Sequence, residues 1–289
     1  MVTGIRFNCR VMSSSRPIRK QPLLLKRLTW PVTRSIKHIQ TDAYIISYPK
    51  CGRTWLRVLL GKSLALHVGH KEDVFGPSAV PRPMGVKLPQ VSFTHDWARG
   101  SSPRPPSPDY TRYRKKKVVF LARDPRDAMV SYYFHVTHRT TWREGDTDNT
   151  YSALSEFIRT KRWGIERMVR FLNEWYRNRA IPADFLLVRY EDLVGDTVAQ
   201  LERVTSFLDL AIRRQVLTDS AAFADFANLR KLSTSDRVSG LLRPTDEDDP
   251  NTFKVRRGKV GGYVDYFDPE DIEFANLVLR HLDPAFGYS

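Results

Sequence analysis

Residues 43–55 read AYIISYPKCGRTW and decide the fold class. The segment from Ala43 to Tyr48 is short, apolar and β-favouring, so it predicts a buried strand. The sequence PKCGRTW then turns the chain, and leucines recur at helical spacing after it, which predicts a helix from Thr54 to Leu66. A strand, a tight loop and a helix in succession are typical of the first unit of an α/β domain.

The rest of the chain continues this alternation. Apolar segments predict strands at Val118–Ala122 and Phe185–Val188, with a short extended piece at Val91–Thr94. Helices are predicted from Pro125, over 152–179 with an interruption at Gly164, over 197–208 and over 269–281. Thr197 and Gln200 fit a capping box at the start of the third of these helices. The order predicts one α/β domain with a central parallel sheet flanked by helices.

The first 40 residues differ in charge from the remainder. The chain has 47 basic and 32 acidic residues and a net charge of +15, to which residues 1–40 contribute nine basic residues and no acidic one. We therefore expect a basic extension at 1–40 and the α/β domain at 41–289. The extension has the composition of an organelle-targeting peptide, a membrane-surface arm, a nucleic-acid tail or a segment without a specific role.

The cysteine content and the hydropathy of the chain indicate the cellular compartment in which to expect it. Cys9 and Cys51 are the only cysteines, too few for a disulfide framework, which favours a reducing, cytoplasmic compartment. Apolar runs such as Val118–Ala122 are too short to cross a bilayer. The N-terminus also lacks the apolar core of a secretory signal, so neither a transmembrane segment nor export is predicted.

The loop between the first strand and the first helix has the composition of an anion-binding site. Backbone N–H groups and the positive end of the dipole face a ligand at a helix N-terminus, and Gly52 allows its close approach. Lys50 and Arg53 add positive charge, and Thr54 adds a hydroxyl group. The segment is not a Walker A motif, because its lysine precedes its glycine. The alternative is a plain turn with a solvated lysine.

Two further basic segments are candidates for phosphate binding. Arg123 follows the strand VVFLA, at the edge where open α/β sheets bind ligands, and Ser131 lies further along the next helix. Arg126 and Asp127 fit equally a surface ion pair of little energetic value. The segment RRGKVGGY at 256–263 combines arginines with glycines, which suits phosphate contacts. The alternative for this third segment is a basic surface loop.

Together these segments resemble those of the soluble, cytosolic-type sulfotransferases that use 3′-phosphoadenylyl sulfate (PAPS), including their bacterial relatives. YPKCGRTW at 48–55 resembles the family's 5′-phosphosulfate loop, YPKSGTTW. RDPRDAMVSYY at 123–133 resembles its 3′-phosphate segment, R-N-P-x-D-x-x-V-S-Y-Y. VRYEDL at 188–193 and VRRGKVGGYVDYF at 255–267 resemble (Y/R)YEDL and RKGxxGxWxxxF. The motifs occur in the family's order and cover most of the chain.

The resemblance implies a P-loop-like nucleotide-binding fold and a role for each matching residue. The 5′-phosphosulfate side is expected to contact the loop residues Lys50, Cys51, Gly52, Arg53, Thr54 and Trp55, with Trp55 also near the adenine. Tyr190 is expected near the adenine as well. The 3′-phosphate is expected to contact Arg123, Ser131, Arg256, Arg257 and Gly258. His95 stands at the place of the family's catalytic histidine, and Lys50 would stabilise the leaving oxygen.

This sequence departs from the family pattern at Arg53, Phe93, Tyr263 and the pair Ala224-Asp225. Contacts to the adenine and the sulfate are therefore expected to differ in detail. The family's usual dimer motif is also missing near 264–273, which leaves the oligomeric state open.

The predicted reaction moves a sulfo group from PAPS to a hydroxyl or amine of a small-molecule or glycan acceptor, without nucleic acid or metal. The histidine spacings His67/His70 and His135/His138 could ligate a metal, but no metal site is predicted from them. Two alternatives are an ATP-dependent small-molecule kinase of similar fold and a basic nucleic-acid-binding module. The acceptor pocket is expected from loops at 72–100, 136–150 and 235–252.

Overall fold

The computed structural model describes residues 38–99, 108–139, 151–235 and 242–288. The chain divides after Gln40 into two units, 1–40 and 41–289, and all elements named below belong to the second. The predicted basic extension falls almost entirely outside the described residues, so it stays a prediction.

A parallel four-stranded sheet forms the centre of the second unit. Its strands are β1 (Ala43–Ser47), β2 (Val91–Thr94), β3 (Lys117–Ala122) and β4 (Asp184–Arg189), in the order β2-β1-β3-β4. In the register of β1, Ile45 lies opposite Phe93 of β2 and Val119 of β3. The inner strands β1 and β3 are buried almost throughout, as in parallel sheets covered on both faces. The predicted α/β domain with a central parallel sheet is confirmed.

Helices flank the sheet and connect its strands. They are α1 (Arg53–His67), α2 (Pro125–Arg139), α3 (Leu154–Arg159), α4 (Ile165–Arg177), α5 (Tyr190–Gly195), α6 (Thr197–Phe207), α7 (Arg214–Phe223), α8 (Phe226–Leu232) and α9 (Pro269–Leu279). Short 3₁₀ turns include Asp96–Arg99, Pro250–Thr252 and Gly262–Asp265. Within the described ranges, no helix has both the length and the apolar character that a membrane crossing requires.

Aromatic packing fixes the position of β3. The Phe120 ring stacks on Phe171 and Trp175 of α4 and on Phe185 of β4, each with 5.8 Å between ring centroids. Phe120, Phe171 and Trp175 are fully buried. Full burial of a Phe side chain stabilises a fold by about 1.5–3 kcal/mol. The carboxyl end of β3, which leads into Arg123, therefore rests on a rigid core.

The interruption predicted at Gly164 is confirmed, because residues 152–179 contain two helices, α3 and α4, and Gly164 is the N-cap of α4. A Cβ atom at Gly164 would lie 2.4 Å from the carbonyl oxygen of Ile158, so the chain turns too tightly there for a side chain. The capping box at Thr197 is wrong. The N-cap is Asp196, whose side chain accepts a hydrogen bond from the backbone N–H of Ala199.

Candidate active site

The three basic segments meet around one cavity of about 720 Å³. Lys50 follows β1, His95 follows β2 and Arg123 follows β3, so the cavity lies at the carboxyl ends of three strands. The predicted site residues in its wall are Lys50, Gly52, Arg53, Thr54, Trp55, His95, Arg123, Ser131, Tyr190, Arg256, Arg257 and Gly258. The structure thus brings together all predicted site residues except Cys51.

The side chain of Cys51 faces the core instead. It is fully buried, and its Sγ atom lies 3.9 Å from the carbonyl oxygen of Pro49. Burial raises the pKa of the thiol to about 12. In contrast to the prediction, this side chain is not part of the cavity wall, because the loop turns it towards the apolar interior.

The loop after β1 brings the first turn of α1 to the cavity. Lys50 and Gly52 have positive φ angles of 70° and 86°. Gly52 is the N-cap of α1, and no side chain hydrogen bond caps this helix. The first-turn N–H groups can therefore donate to an anion. A Cβ atom at Gly52 would lie 2.5 Å from the Tyr190 ring, so glycine is required for this close approach.

Lys50 is surrounded by other positively charged side chains. Burial, with the added repulsion of Lys254, Arg139, Arg123 and Arg256, lowers the pKa of the Lys50 ammonium group to about 7. The alternative of a plain turn with a solvated lysine does not describe this setting. An anion bound among these cations would restore the charge of Lys50 and be stabilised by it.

Arg123 ties the loop after β1 to the segment 256–263. Its guanidinium donates hydrogen bonds to the carbonyl oxygens of Lys50 and Lys259, with N–O distances of 3.2 and 3.4 Å. It also lies 4.2 Å from the centroid of the Tyr190 ring. Arg123 therefore positions two parts of the site while it presents charge to the cavity.

Asp127 anchors the glycine-rich end of that segment. Its carboxylate accepts hydrogen bonds from the backbone N–H groups of Gly261 (2.8 Å) and Tyr263 (2.9 Å). Asp127 is only 3% exposed, and this burial raises its pKa. Arg126 pairs with Asp124 at 2.8 Å. The alternative of an Arg126–Asp127 surface pair is therefore wrong, and no local sequence pattern predicts this anchoring role.

Arg256 and Arg257 are held by neighbouring side chains. Their Nη1 atoms donate to the Tyr266 hydroxyl oxygen at 2.6 and 3.0 Å. Arg257 also pairs with Asp265 at 3.0 Å. These contacts position both guanidinium groups in the cavity wall, unlike the side chains of an unconstrained surface loop.

Aromatic rings form another part of the wall. Trp55 and Tyr190 meet edge to face with centroids 5.9 Å apart, and the Trp55 indole N–H donates to the Ala224 carbonyl oxygen at 2.8 Å. Phe226 is 37% exposed and lines the cavity, so it can offer a ring face to a ligand. A Cβ atom at Gly258 would come within 2.7 Å of this ring. The sequence analysis assigned Phe226 no role.

His95 is oriented by the end of β1. Its Nδ1 atom lies 2.9 Å from the Ser47 carbonyl oxygen. Because a carbonyl oxygen only accepts, Nδ1 carries a proton, and the neutral ring keeps its lone pair on Nε2. This tautomer is suited to accept a proton from a ligand in the cavity.

The residues that the structure describes contain no group of three or more His, Cys, Asp or Glu that could hold a metal ion. His135 lines the cavity, whereas His138 pairs with Asp249 at 2.9 Å. These two histidines therefore have different surroundings despite their close spacing in the sequence.

Comparison with known families decides the identity. The sequence model of the family described as "Sulfotransferase domain" matches residues 40–282. The chain belongs to the sulfotransferase family. Cytosolic sulfotransferase 14 of Arabidopsis thaliana is 25% identical over 271 residues, which cover 84% of this chain and 76% of that protein. Flavonol 3-sulfotransferase of Flaveria bidentis is 24% identical over 272 residues, 88% of this chain and 85% of that protein. The prediction of a PAPS-dependent sulfotransferase is confirmed.

Solved structures share the fold of this sulfotransferase. A mouse sulfotransferase complexed with PAP has a TM-score of 0.53 and 17% identity, with 83% of each chain covered. Retinol dehydratase in complex with androsterone and PAP has the same TM-score of 0.53 and identity of 17%, with 83% of this chain and 80% of that chain covered. At this level of identity, the likeness supports the fold alone.

Proposed function

We propose that this sulfotransferase transfers the sulfo group of PAPS to a hydroxyl or amine of a small-molecule acceptor. His95 acts as the general base, and Lys50 stabilises the leaving group. The observation that carries the proposal is that both side chains line one cavity, together with the first turn of α1 and the cations Arg123, Arg256 and Arg257. PAPS carries about four negative charges in two phosphate regions, so it requires cations at two places.

The donor would lie across the carboxyl ends of β1 and β3. The first turn of α1, with Lys50, suits the 5′-phosphosulfate. Arg123, Ser131 and the segment 256–258 suit the 3′-phosphate. Adenine would lie among the rings of Trp55, Tyr190 and Phe226. The two structural neighbours are complexes with PAP, which supports a donor of this chemistry.

His95 accepts the acceptor's proton on Nε2 while the acceptor oxygen or nitrogen forms a bond to sulfur. The bond between sulfur and the bridging phosphate oxygen breaks, and its electron pair stays on that oxygen. Lys50 and the N–H groups of α1 stabilise the charge that develops there. The products are the sulfated acceptor and PAP. A positioned general base accounts for about 10²–10⁴-fold of such a rate enhancement.

The acceptor would enter on the side of His95. Each stretch expected to form the acceptor pocket contributes to the cavity wall, with His95 from 72–100, Val136 from 136–150 and Leu242 from 235–252. Residues 140–150 and 236–241 lie outside the described residues. A flavonol in the name of one relative and androsterone in one neighbour's complex support a small-molecule acceptor. The relatives that are called cytosolic support a cytoplasmic location.

Incubation with PAPS and a panel of phenols, alcohols, amines and sugars, in EDTA, tests the proposal. We expect a sulfated product and PAP without added metal, because Lys50 and the α1 terminus take the role that Mg²⁺ has in kinases. Mg²⁺-dependent phosphoryl transfer from ATP, without sulfo transfer from PAPS, would overturn the proposal in favour of the kinase alternative.

A further inference from the structure

A small recess opens off the cavity beside Lys50. Its volume of about 10 Å³ holds one oxygen-sized atom. Five residues line both the recess and the cavity: Lys50, Ser131, His135, Lys254 and Arg256. The remaining walls are Phe134, Arg139, Asn251 and Phe253. The recess is therefore a cationic extension of the proposed active site.

Helix α2 supplies four of these residues, and three of them lie on one face. Ser131, His135 and Arg139 are four residues apart, so each lies about 6 Å further along the helix axis than the one before. Side chains of a helix lean towards its N-terminus, so the long Arg139 side chain reaches back towards Ser131 and the recess. His135 and Arg139 are outside the predicted donor-binding set.

Arg139 contributes a charge whose hydrogen-bond partners are neutral. Its guanidinium donates to the carbonyl oxygens of Thr252 and of Arg243, the latter at 3.0 Å. Its Nε atom is buried, and it has no hydrogen-bond partner among the described residues. Carbonyl oxygens orient this guanidinium group without neutralising it.

Among the described residues, the acidic side chains that line the cavity are held by backbone groups. Asp127 and Asp225 line the cavity, and both accept hydrogen bonds from backbone N–H groups. Asp249, from the acidic run 246–249, pairs with His138. In the part of the chain that the structure describes, no ion pair joins a carboxylate to Arg139.

Arg139 and Lys254 also act strongly on Lys50. Of the charges that lower the Lys50 pKa, Lys254 has the largest effect and Arg139 the next, ahead of Arg123 and Arg256. Lys254 and Arg139 are outside the predicted donor-binding residues, whereas Arg123 and Arg256 are among them. The first two therefore lower the Lys50 pKa more than the second two do.

We propose that the acceptor carries a carboxylate, sulfate or phosphate group, and that Arg139 and Lys254 bind this group beside Lys50. The proposal rests on the proposed function, which places the acceptor next to His95. An anionic group gains charge-assisted hydrogen bonds from both side chains, whereas a neutral acceptor gains none of them. One oxygen of the anion enters the recess, and the rest of the acceptor stays in the cavity.

Calorimetric titration of inorganic sulfate into the PAP-saturated enzyme tests this site without a known acceptor. PAP binding is measured first, because its failure would count against the proposed function and not against this inference alone. With PAP bound, we expect Lys254→Met to bind sulfate at least about tenfold more weakly than wild type. The matched control is Arg214→Gln, which removes an exposed cation paired with Glu202 and should bind sulfate like wild type.

Two outcomes would overturn the inference. One is that PAP-saturated wild type binds no sulfate, which would mean that PAP itself occupies these cations. The other is equal sulfate binding by wild type and Lys254→Met.

Arg139 needs a pair of variants, because it also holds the segment 243–252 through two carbonyl oxygens. Arg139→Gln removes the charge, and Arg139→Lys keeps it. We expect about a tenfold loss of sulfate binding in Arg139→Gln and a smaller loss in Arg139→Lys. Equal losses would assign Arg139 to holding the segment and would contradict its role in anion binding.

Acceptor selectivity gives a second readout. Sulfo transfer from PAPS is compared between 4-hydroxyphenylacetate and its neutral amide, which have the same phenol. We expect a higher kcat/KM for the carboxylate in wild type and loss of this preference in Lys254→Met. A wild-type preference for the amide would overturn the inference.

Discussion

The donor end and the acceptor end of the cavity are built differently. At the donor end, strand ends and the first turn of α1 carry the charged groups, and Arg123 and Asp127 tie them together through backbone contacts. At the proposed acceptor end, the described wall residues come from the end of β2 (His95), from α2 (Val136) and from a segment between helices (Leu242). We infer from this difference that the sheet fixes the transfer chemistry, whereas elements outside the sheet determine which acceptor reaches it.

His95 stands where the two ends meet, and its removal should have the largest effect. We expect His95→Ala to lower kcat by about 10²–10⁴-fold with PAP affinity unchanged, because only the proton transfer is lost. Steady-state kinetics and calorimetry measure the two quantities. His67→Ala, at the exposed end of α1, is the matched control. A kcat within about threefold of wild type would remove His95 from the mechanism.

The affinity of the donor end for PAP should depend on pH through the protonation of Lys50. The Lys50 pKa of about 7 in the unliganded protein rises when an anion binds, so PAP prefers the protonated form. PAP affinity should then fall as pH rises above 7, by about 20-fold between pH 7.5 and 9, with proton uptake on binding. The phosphates lose their last proton near pH 6, so this window reports on the lysine.

Calorimetry in buffers of different ionisation enthalpy measures both the affinity and the proton uptake. Lys50→Arg is the control, because its guanidinium stays charged throughout this range. A wild-type affinity as flat as that of Lys50→Arg would show that Lys50 is already protonated in the unliganded protein.

Substitution of Gly52, on which the Tyr190 ring packs, should have a smaller effect that is still measurable. Gly52→Ala places a Cβ atom 2.5 Å from the Tyr190 ring, at a φ angle of 86°. Gly69→Ala has a similar φ of 77° with nothing within 4 Å, so it reports the backbone strain alone. We expect about 1–2 kcal/mol of destabilisation from the strain in both variants. Gly52→Ala should in addition bind PAP about tenfold more weakly.

Chemical denaturation and PAP titration of both glycine variants provide the comparison. If the two variants bind PAP equally well, the contact between Tyr190 and Gly52 has no part in shaping the donor end.

Among these substitutions, Asp127→Asn should have the smallest effect on PAP binding. The amide can accept only one of the two backbone hydrogen bonds that hold Gly261 and Tyr263. Loss of one such bond, worth about 1 kcal/mol, should weaken PAP binding about fivefold. Asp219→Asn, on the exposed face of α7, should bind PAP like wild type. A normal PAP affinity in Asp127→Asn would mean that the segment 256–263 keeps its position without this anchor.

Local sequence signals predicted the sheet and the donor end. Apolar runs located β1 and β3 to within a residue, because inner strands of a parallel sheet are buried on both faces. The edge strand β4 was located to within a residue at each end as well. The motif at 48–55 combines charge, glycine and a helix start, and each of these features by itself favours anion binding. Lys50, Arg123 and Ser131 consequently lie in one cavity, as predicted.

Features that depend on contacts distant in sequence were missed. The short helices α5, α7 and α8 have too few turns for a clear apolar period. Asp127 became an anchor only because the fold brings Gly261 and Tyr263 to it. The cation pair Arg139 and Lys254 comes from segments 115 positions apart, and no local pattern joins them.

Donor selectivity is the sharpest test of whether the cavity binds both phosphate regions of PAP. PAP, AMP and ATP are titrated into wild type and into Ser131→Ala, a cleaner variant than Arg123→Ala because Arg123 also holds two loops. A charge-assisted hydrogen bond to phosphate contributes about 1.5–3 kcal/mol, so wild type should bind PAP at least about tenfold more tightly than AMP or ATP. Ser131→Ala should weaken the binding of PAP. It should leave the binding of AMP unchanged, because AMP lacks the 3′-phosphate. Tighter binding of ATP than of PAP, or equal losses for PAP and AMP, would contradict the account.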